Sequence, residues 1–141
     1  MTPADRATVC TIAQSWLGTP WRHAARVCGA GVDCAQLLIA VYSAAGLIAP
    51  FDPPAYAIDH MLHSGDPLFE RLCSQLGREV DTPSAGDVVL WEFGRSFSHG
   101  GVVLDWPGQV LHAYRPYGAV CITPANVARL DGRAVKFFSF W

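Results

Sequence analysis

The chain has 141 residues, of which 51% are apolar and 16% are charged. This composition supports one domain with a substantial hydrophobic core and excludes an intrinsically disordered chain. The formal net charge is −2 and Lys136 is the only lysine, so a nucleic-acid partner is not expected. We predict a single domain over residues 1–141.

The start of the chain and its hydropathy indicate where the protein is made. Residues 1–8 lack the apolar run of a secretory signal peptide, and no apolar run is long enough to span a membrane. The sequence therefore predicts a protein made in the cytoplasm without a signal peptide. Action outside the cell would require delivery by other machinery.

Five cysteines occur at irregular spacings and without a CxxC pair, which disfavours a zinc ribbon or a redox pair. Cys10, Cys73 and Cys121 stand in apolar contexts and are expected to fill core positions. Cys28 lies in a loop near Cys34, and the sequence leaves open a regulatory disulfide between these two.

Helical periodicity marks the first half of the chain. Thr2-Pro3 has the residue types that open a helix, and Gly18-Thr-Pro20 ends it. A second helix is predicted over about residues 34–45, closed by Gly46 at the position where a left-handed glycine is favoured. The apolar residues of the first helix share one face, and they are Val9, Ile12, Ala13, Trp16 and Leu17.

The segment after the second helix is rich in proline, aspartate and glycine. Residues 49–66 are therefore predicted as a loop with at most one helical turn, near 57–62. Asp66-Pro67 then caps a third helix, which ends at Gly77. The apolar residues of that helix are Leu68, Phe69, Leu72, Cys73 and Leu76.

From Asp81 onward the hydrophobic period changes from helical to alternating, which predicts short strands. Pro107-Gly108 connects two of them tightly, and residues 124–130 form one or two helical turns. Helices followed by consecutive strands predict an α+β fold, with N-terminal helices packed on a C-terminal antiparallel β-sheet. The predicted strands are Asp87–Phe93, His99–Asp105, Gln109–Tyr114, Ala119–Thr123 and Ala134–Phe140.

Cys34 stands where the second helix begins. Asp33 is a favoured N-cap residue, so Cys34 takes the first helical position, beside backbone N–H groups that lack an intrahelical partner. The positive end of the helix dipole favours a thiolate, and the same N–H groups could hold the oxyanion formed when a thiolate attacks a carbonyl. The adjacent Asp33 carboxylate opposes ionisation of the thiol. Cys34 is therefore the candidate nucleophile.

Two histidines on neighbouring strands are the candidate partners of this thiol. His99 is predicted at the start of one strand and His112 on the next, and a hairpin through Pro107-Gly108 places them side by side on one face. In a Cys-His-His relay the first imidazole takes the thiol proton and the second orients the first. We expect both rings to face the start of the Cys34 helix, with His99 as an imidazolium beside the thiolate.

Other residues are candidates for the walls of such a site. Trp21 could wall the cleft and donate its indole N–H to an oxyanion, and His23 could line it. His60 and His63 are spaced like a metal pair, but no third ligand is near, so neither a metal nor an organic cofactor is predicted. The arginines that could meet substrate carboxylates are Arg22, Arg26, Arg95 and Arg115.

Several motifs follow one another along nearly the whole chain. They are Gly18-Thr-Pro-Trp, Val32-Asp-Cys-Ala, Ser84-Ala-Gly-Asp-Val-Val-Leu-Trp91, Ser98-His-Gly-Gly-Val-Val and Leu111-His-Ala-Tyr. Together they resemble the motifs of the NlpC-type cysteine peptidases, papain-like enzymes that cut the peptide stems of bacterial cell walls. The loop from Thr19 and the stretch Tyr56–Leu62 are similar to the phage branch of putative tail-associated cell-wall peptidases.

The resemblance implies a papain-like α+β fold and a peptidase acting on peptidoglycan stem peptides. The favoured bond joins the γ-carboxyl of D-glutamate to diaminopimelate. By position, Cys34 resembles the nucleophile, His99 the general base and His112 the third polar residue. The implied partners are the peptidoglycan peptide and phage tail proteins, which would carry the enzyme to the cell wall or periplasm.

The sequence departs from the family pattern near the nucleophile. Ala35-Gln36 stands where Ser-Gly or Leu-Gly is common, so Gln36 could narrow the cleft, and Trp21 replaces a tyrosine thought to assist the oxyanion. Three alternatives stay open. They are an interbacterial amidase toxin delivered by a type VI system and opposed by an immunity protein, an acyltransferase or deamidase on the same fold, and a non-catalytic tail assembly protein.

Overall fold

The computed structural model describes residues 4–54, 68–94 and 96–141. The helices within these ranges are α1 (Arg6–Gln14), α2 (Cys34–Ala44) and α3 (Leu68–Leu76). The strands are β1 (Arg26–Val27), β2 (Gly31–Val32), β3 (Arg78–Val80), β4 (Val88–Phe93), β5 (Ser96–Asp105), β6 (Gln109–Tyr114), β7 (Ala119–Thr123) and β8 (Val135–Ser139). Short 3₁₀ helices cover Arg115–Tyr117 and Ala128–Leu130.

Some predictions concern residues outside these ranges. They are the helical turn near 57–62, the Asp66-Pro67 cap of α3, the similarity of Tyr56–Leu62 to the phage branch, the spacing of His60 and His63, and Arg95.

The first helix begins later and ends earlier than the sequence predicts. Asp5 caps it by accepting a hydrogen bond from the N–H of Thr8 at 2.8 Å, whereas Thr2-Pro3 lies outside the described residues. The helix ends before Gly18-Thr-Pro20, so Leu17 follows its last turn and is 45% exposed instead of buried. The prediction of a longer buried face was therefore wrong at Leu17.

The second helix has nearly the predicted bounds, because both of its ends carry local signals. At its start, the Asp33 carboxylate accepts a hydrogen bond from the N–H of Gln36 at 2.9 Å. At its end, Gly46 adopts a left-handed conformation with φ of 74°, and the N–H of Leu47 bonds back to the carbonyl of Tyr42 at 3.0 Å.

Six strands form one antiparallel sheet in the order β3-β8-β4-β5-β6-β7, and β1 pairs with β2 in a separate hairpin. The predicted α+β fold is confirmed. The sequence analysis missed β1, β2 and β3, each only two or three residues long. It also placed His99 at the start of a strand, whereas β5 begins at Ser96 and His99 is its fourth residue.

The sheet has an apolar core on each face, because successive side chains of a strand point to opposite sides. On one face the helices pack on the sheet, with buried Val9, Ala13, Leu37, Leu38, Val41, Leu90, Val102 and Leu111. On the other face a second cluster contains Val89, Trp91, Val103, Val110, Tyr114 and Leu130.

Asp87 ties the first helix to the sheet. Its Oδ1 accepts a hydrogen bond from Nη1 of Arg6 at 2.7 Å, and its Oδ2 accepts one from the N–H of Ser84 at 2.8 Å. Asp87 is only 2% exposed, so its carboxylate is shielded from water, whereas the side chain of Arg6 is 34% exposed. The Gly-Asp-Val motif is thus explained by an anchor between α1 and the start of β4.

Within the described residues, no helix is long and apolar enough to cross a bilayer.

Candidate active site

The nucleophile candidate lies where two neighbouring strands stop pairing. The ladder between β5 and β6 covers residues 102–105 of β5 and does not extend to residues 98–100. Sγ of Cys34 lies against this open stretch, where it donates a hydrogen bond to the carbonyl of Ser98 at 3.8 Å. The backbone N–H of Gly100 also acts on the sulfur and lowers the pKa of its thiol. The first turn of α2 thus places its thiol beside the residues that flank His99.

Asp33 fixes the thiol by holding two backbone segments at once. While its Oδ1 caps α2, its Oδ2 accepts a hydrogen bond from the N–H of Ala24 at 2.7 Å. The residue is 3% exposed. Asp33 therefore pins the loop that carries Trp21 and His23 against the start of the helix that carries Cys34.

The surroundings of the thiol favour its neutral form. Burial raises the pKa of Cys34 to about 12, and the neighbouring Asp33 carboxylate acts in the same direction. Hydrogen bonds from the N–H groups of Gly100, Ala35 and Cys34 itself lower this pKa, but they only partly offset burial. As predicted, the N–H groups at the start of the helix lower the pKa of Cys34 and the Asp33 carboxylate raises it, but burial has the largest effect.

The two candidate histidines form a hydrogen-bonded chain. Nε2 of His99 lies 2.8 Å from Nδ1 of His112, and Nε2 of His112 lies 2.8 Å from Oγ1 of Thr123. Oγ1 of Thr123 in turn donates to the carbonyl of Pro124 at 3.0 Å. His99 is 8% exposed and His112 is fully buried. The structure therefore places the two rings side by side.

Both imidazoles are surrounded by aromatic rings of the second core. The ring centres of His99 and Trp91 are 5.3 Å apart, and Tyr114 stacks on His112 with ring centres 4.9 Å apart. A side chain at Gly100 would instead meet Leu38 of α2. The rings therefore lie on the face of the sheet opposite the one that packs on the body of α2. Because His99 lines the same cavity as Cys34 at the start of α2, the expectation that the rings face the start of the helix stays a prediction.

This location sets the charge of the pair. Burial lowers the pKa of His99 well below its ordinary value, and the adjacent His112 lowers it further. Burial also lowers the pKa of His112 to about 4. Both pKa shifts oppose the expected imidazolium at His99. Among the described residues no hydrogen bond joins the Cys34 thiol to either ring, since the thiol donates to Ser98 instead.

The thiol and the first imidazole open into one cavity of about 640 Å³. The predicted wall residues Trp21, His23 and Asp33 line it. Gln36 does not appear among the described lining residues and is 6% exposed, so the expectation that it narrows the cleft was wrong. Other described lining residues include Ala35, Leu38, Ile39, Phe51, Phe69, Phe93, Ser96, Ser98, Tyr114, Arg115, Arg129 and Arg133.

All five cysteines are free thiols, so the disulfide between Cys28 and Cys34 is not formed. Cys28 is exposed, and its thiol donates to the carbonyl of Ser15 at 3.5 Å. Cys73 is buried as expected, whereas Cys10 and Cys121 are only partly buried. Within the described part of the chain, no group of three or more His, Cys, Asp or Glu residues is arranged to hold a metal ion.

Solved structures share this architecture over almost the whole chain. The NlpC/p60 domain of the peptidoglycan hydrolase SagA matches with a TM-score of 0.63 and 18% identity, over 94% of this chain and 97% of that one. The fold is the NlpC/p60 fold. No protein-family model matches the sequence, and no curated protein does.

Two further structures with the NlpC/p60 fold are similar. The peptidoglycan hydrolase RipB from Mycobacterium tuberculosis matches with a TM-score of 0.64 and 19% identity, over 96% of this chain and 64% of that one. An NlpC/p60 family protein from Bacillus cereus matches with a TM-score of 0.67 and 18% identity, over 96% of this chain and 40% of that one.

The sequence analysis missed several residues that line this cavity or bond to its histidines. Arg129 lies in the 3₁₀ helix Ala128–Leu130 and Arg133 in the loop before β8, both far along the chain from Cys34, and nothing in their spacing points to the cavity. Thr123 had a weak signal, because it lies at the end of β7, two residues beyond the partner of His112 in the ladder. Such diagonal neighbours on paired strands are within reach of a long side chain.

Proposed function

We propose that the protein is a cysteine peptidase that hydrolyses peptide bonds in the stem peptides of bacterial peptidoglycan. The observation that carries the proposal is the cavity shared by the Cys34 thiol and the His99 ring, with His112 bonded behind that ring. Two solved structures with this fold, SagA and RipB, are named peptidoglycan hydrolases, which supports the choice of substrate.

In the proposed reaction Cys34 is the nucleophile and His99 the general base. As the sulfur attacks the substrate carbonyl, Nδ1 of His99 takes the thiol proton, and N–H groups at the start of α2 hold the oxyanion. His99 then gives this proton to the leaving amine. A water molecule, deprotonated by the same ring, hydrolyses the thioester and releases the free thiol.

The charge states of the resting site determine when the thiolate forms. The pKa of Cys34 is raised and that of His99 is lowered, both chiefly by burial, so the neutral pair is favoured before substrate binds. The proton therefore moves during attack on the carbonyl. A neutral imidazole can accept this proton because it is unprotonated at neutral pH.

Charge in the cavity supports an acidic peptide as the substrate. Arg115, Arg129 and Arg133 line it, and none of them forms an ion pair with a described carboxylate. The carboxylate of Asp33, the one acidic side chain among the described lining residues, is occupied by backbone N–H groups. When D-glutamate is linked through its γ-carboxyl, its α-carboxylate remains free to pair with such guanidinium groups.

Unpaired hydroxyls also support a polar substrate. The side-chain oxygens of Ser96, Ser98 and Tyr114 are buried and have no hydrogen-bond partner in the described part of the chain, although all three residues line the cavity. Buried polar groups are normally satisfied. A bound peptide would bring carbonyl and amide groups to this region. On the strength of the sequence resemblance, we propose the bond between γ-D-glutamate and diaminopimelate as the target.

The experiment is digestion of purified peptidoglycan, followed by mass spectrometry of the released fragments. We expect the wild-type protein to release fragments with new amino termini on diaminopimelate, and Cys34→Ala to release none. Cys28→Ala is the matched control, because its thiol is exposed and is not among the described cavity residues. Equal release by wild type and Cys34→Ala would refute the nucleophile assignment.

The same digestion, repeated with an added amine acceptor, separates hydrolysis from acyl transfer, because a transferase would attach the amine to the new carboxyl end.

For delivery, we propose a phage tail, on the strength of the sequence resemblance. Mass spectrometry of purified virions should then detect the chain, whereas its recovery only as cargo of a type VI system with an inhibitory neighbour would support the toxin alternative.

A further inference from the structure

Thr123 ends the hydrogen-bond chain that starts at His99, and its single hydroxyl proton sets the direction of every bond in that chain. A carbonyl oxygen can only accept a hydrogen bond, so the 3.0 Å contact with Pro124 requires Thr123 to be the donor. The hydroxyl then has only lone pairs left for His112. Nε2 of His112, at 2.8 Å, must therefore carry a proton and donate it to Thr123.

The same reasoning continues one ring further. A neutral imidazole carries one proton, so His112 with a protonated Nε2 has a bare Nδ1 that accepts a hydrogen bond. Nε2 of His99, 2.8 Å away, must supply that bond. Neutral His99 therefore carries its proton on Nε2 and keeps a lone pair on Nδ1. No other arrangement turns all three contacts into hydrogen bonds.

We propose that Thr123 is a positioning residue that fixes the tautomers of both histidines and so leaves Nδ1 of His99 free to accept the proton of the Cys34 thiol. This inference rests on the proposed function of the site. Thr123 contacts no reacting atom itself and acts through His112.

The location of Thr123 explains why its loss should matter. It is 5% exposed and stands at the end of β7, beside a fully buried His112, so water does not readily replace its hydroxyl. Without that oxygen, Nε2–H of His112 loses its acceptor. His112 is then free to move its proton to Nδ1, which makes it a donor toward His99. His99 would respond by carrying its own proton on Nδ1, where the base is needed.

The kinetic test compares Thr123→Val with Thr123→Ser on a soluble stem peptide. Valine keeps the shape of threonine but cannot accept a hydrogen bond, and we expect kcat to fall by about 10- to 100-fold, part of the 10²–10⁴-fold that a positioned general base contributes. KM should stay within about twofold, because the substrate is not touched. Serine keeps the hydroxyl and should restore most of kcat. Thr19→Val, another buried threonine, is the matched control and should keep kcat.

A spectroscopic test does not depend on activity. Long-range proton–nitrogen correlation spectra of nitrogen-15-labelled protein distinguish protonated from bare ring nitrogens. In the wild-type protein near neutral pH, we expect His99 and His112 to be protonated on Nε2 and bare on Nδ1. In Thr123→Val the signals should shift toward the opposite tautomer, and in Thr123→Ser they should not.

The outcomes separate this inference from the proposed function. A wild-type spectrum with the proton on Nδ1 of either ring overturns the inference, even if Thr123→Val does not fold. Unchanged kcat in a folded Thr123→Val also overturns it, while peptidoglycan cleavage by the wild type would leave the proposed function standing. If instead Cys34→Ala is as active as the wild type, the proposed function fails, whatever the tautomers are.

Discussion

The burial of His112 predicts how the stability of the protein depends on pH. Its pKa is lowered by burial from 6.5 to about 4 in the folded protein, whereas the unfolded chain keeps the ordinary value. Between these two values the unfolded state binds a proton that the folded state does not. The free energy of unfolding should therefore fall as the pH drops below 6.5, and this group should add no further loss below about pH 4.

The size of the effect follows from the same two values. A difference of one pKa unit corresponds to about 1.4 kcal/mol, so the shift from 6.5 to about 4 gives a loss of about 3 kcal/mol across this window. His112 is fully buried, so screening by solvent does not reduce this free-energy difference. His99, whose pKa is lowered in the same direction, should add to the loss.

The assay is urea unfolding monitored by tryptophan fluorescence, repeated from about pH 7 to about pH 4. His112→Asn is the comparison, since asparagine can accept the bond from His99 but does not titrate. Carboxylates titrate in both proteins and cancel in the difference. We expect the wild type to lose about 3 kcal/mol more than the variant. Equal losses in the two proteins would refute the claim that His112 is buried as a neutral ring.

The remaining predictions concern the anchor, the strand contact and the thiol. Arg6→Ala should lower the free energy of unfolding by about 2 kcal/mol in urea titrations, because the 2% exposed Asp87 carboxylate loses its partner, and an unchanged midpoint would contradict this. Gly101→Ala should lower both kcat and thermal stability, because the added Cβ would lie 3.0 Å from a backbone oxygen of β6. Gly108→Ala is the control and should change neither, because its added Cβ would lie 3.9 Å from the nearest backbone oxygen. The rate at which iodoacetamide alkylates Cys34, followed by mass spectrometry, should keep rising with pH beyond the ordinary thiol pKa of 9.0, because burial raises the pKa of Cys34 to about 12. A rate that is already maximal well below pH 8 would instead indicate a thiolate paired with an imidazolium.

The parts of the site that the sequence could predict depend on local patterns. Asp33, Cys34 and the apolar run behind them lie within a few residues of one another, and capping chemistry alone positions the thiol at the start of α2. The pairing of His99 with His112 also follows from local information, since the two strands are joined by a short hairpin and alternate in the same phase.

The parts that the sequence could not predict depend on how separate elements pack. Alternation shows that His99 and His112 share a face, but not which face the helices cover, and this determines that both rings are buried and neutral. Thr123 requires knowledge of the register between β6 and β7. To predict the position of Arg133, one must know the path of the loop that brings it to Phe93, where Cζ of Arg133 lies 3.7 Å from the ring centre.

The early separation of β5 from β6 has a consequence for how this protein could be tuned. Cys34 belongs to the helix that packs on one face of the sheet, whereas both imidazoles pack against the aromatic core on the other face, so the positions of the sulfur and of the base depend on different core residues. A substitution in the aromatic core, at Leu130 for example, should therefore reorient the His99 ring while leaving the sulfur of Cys34 in place. Turnover and thiol reactivity should then respond independently to changes in the two layers.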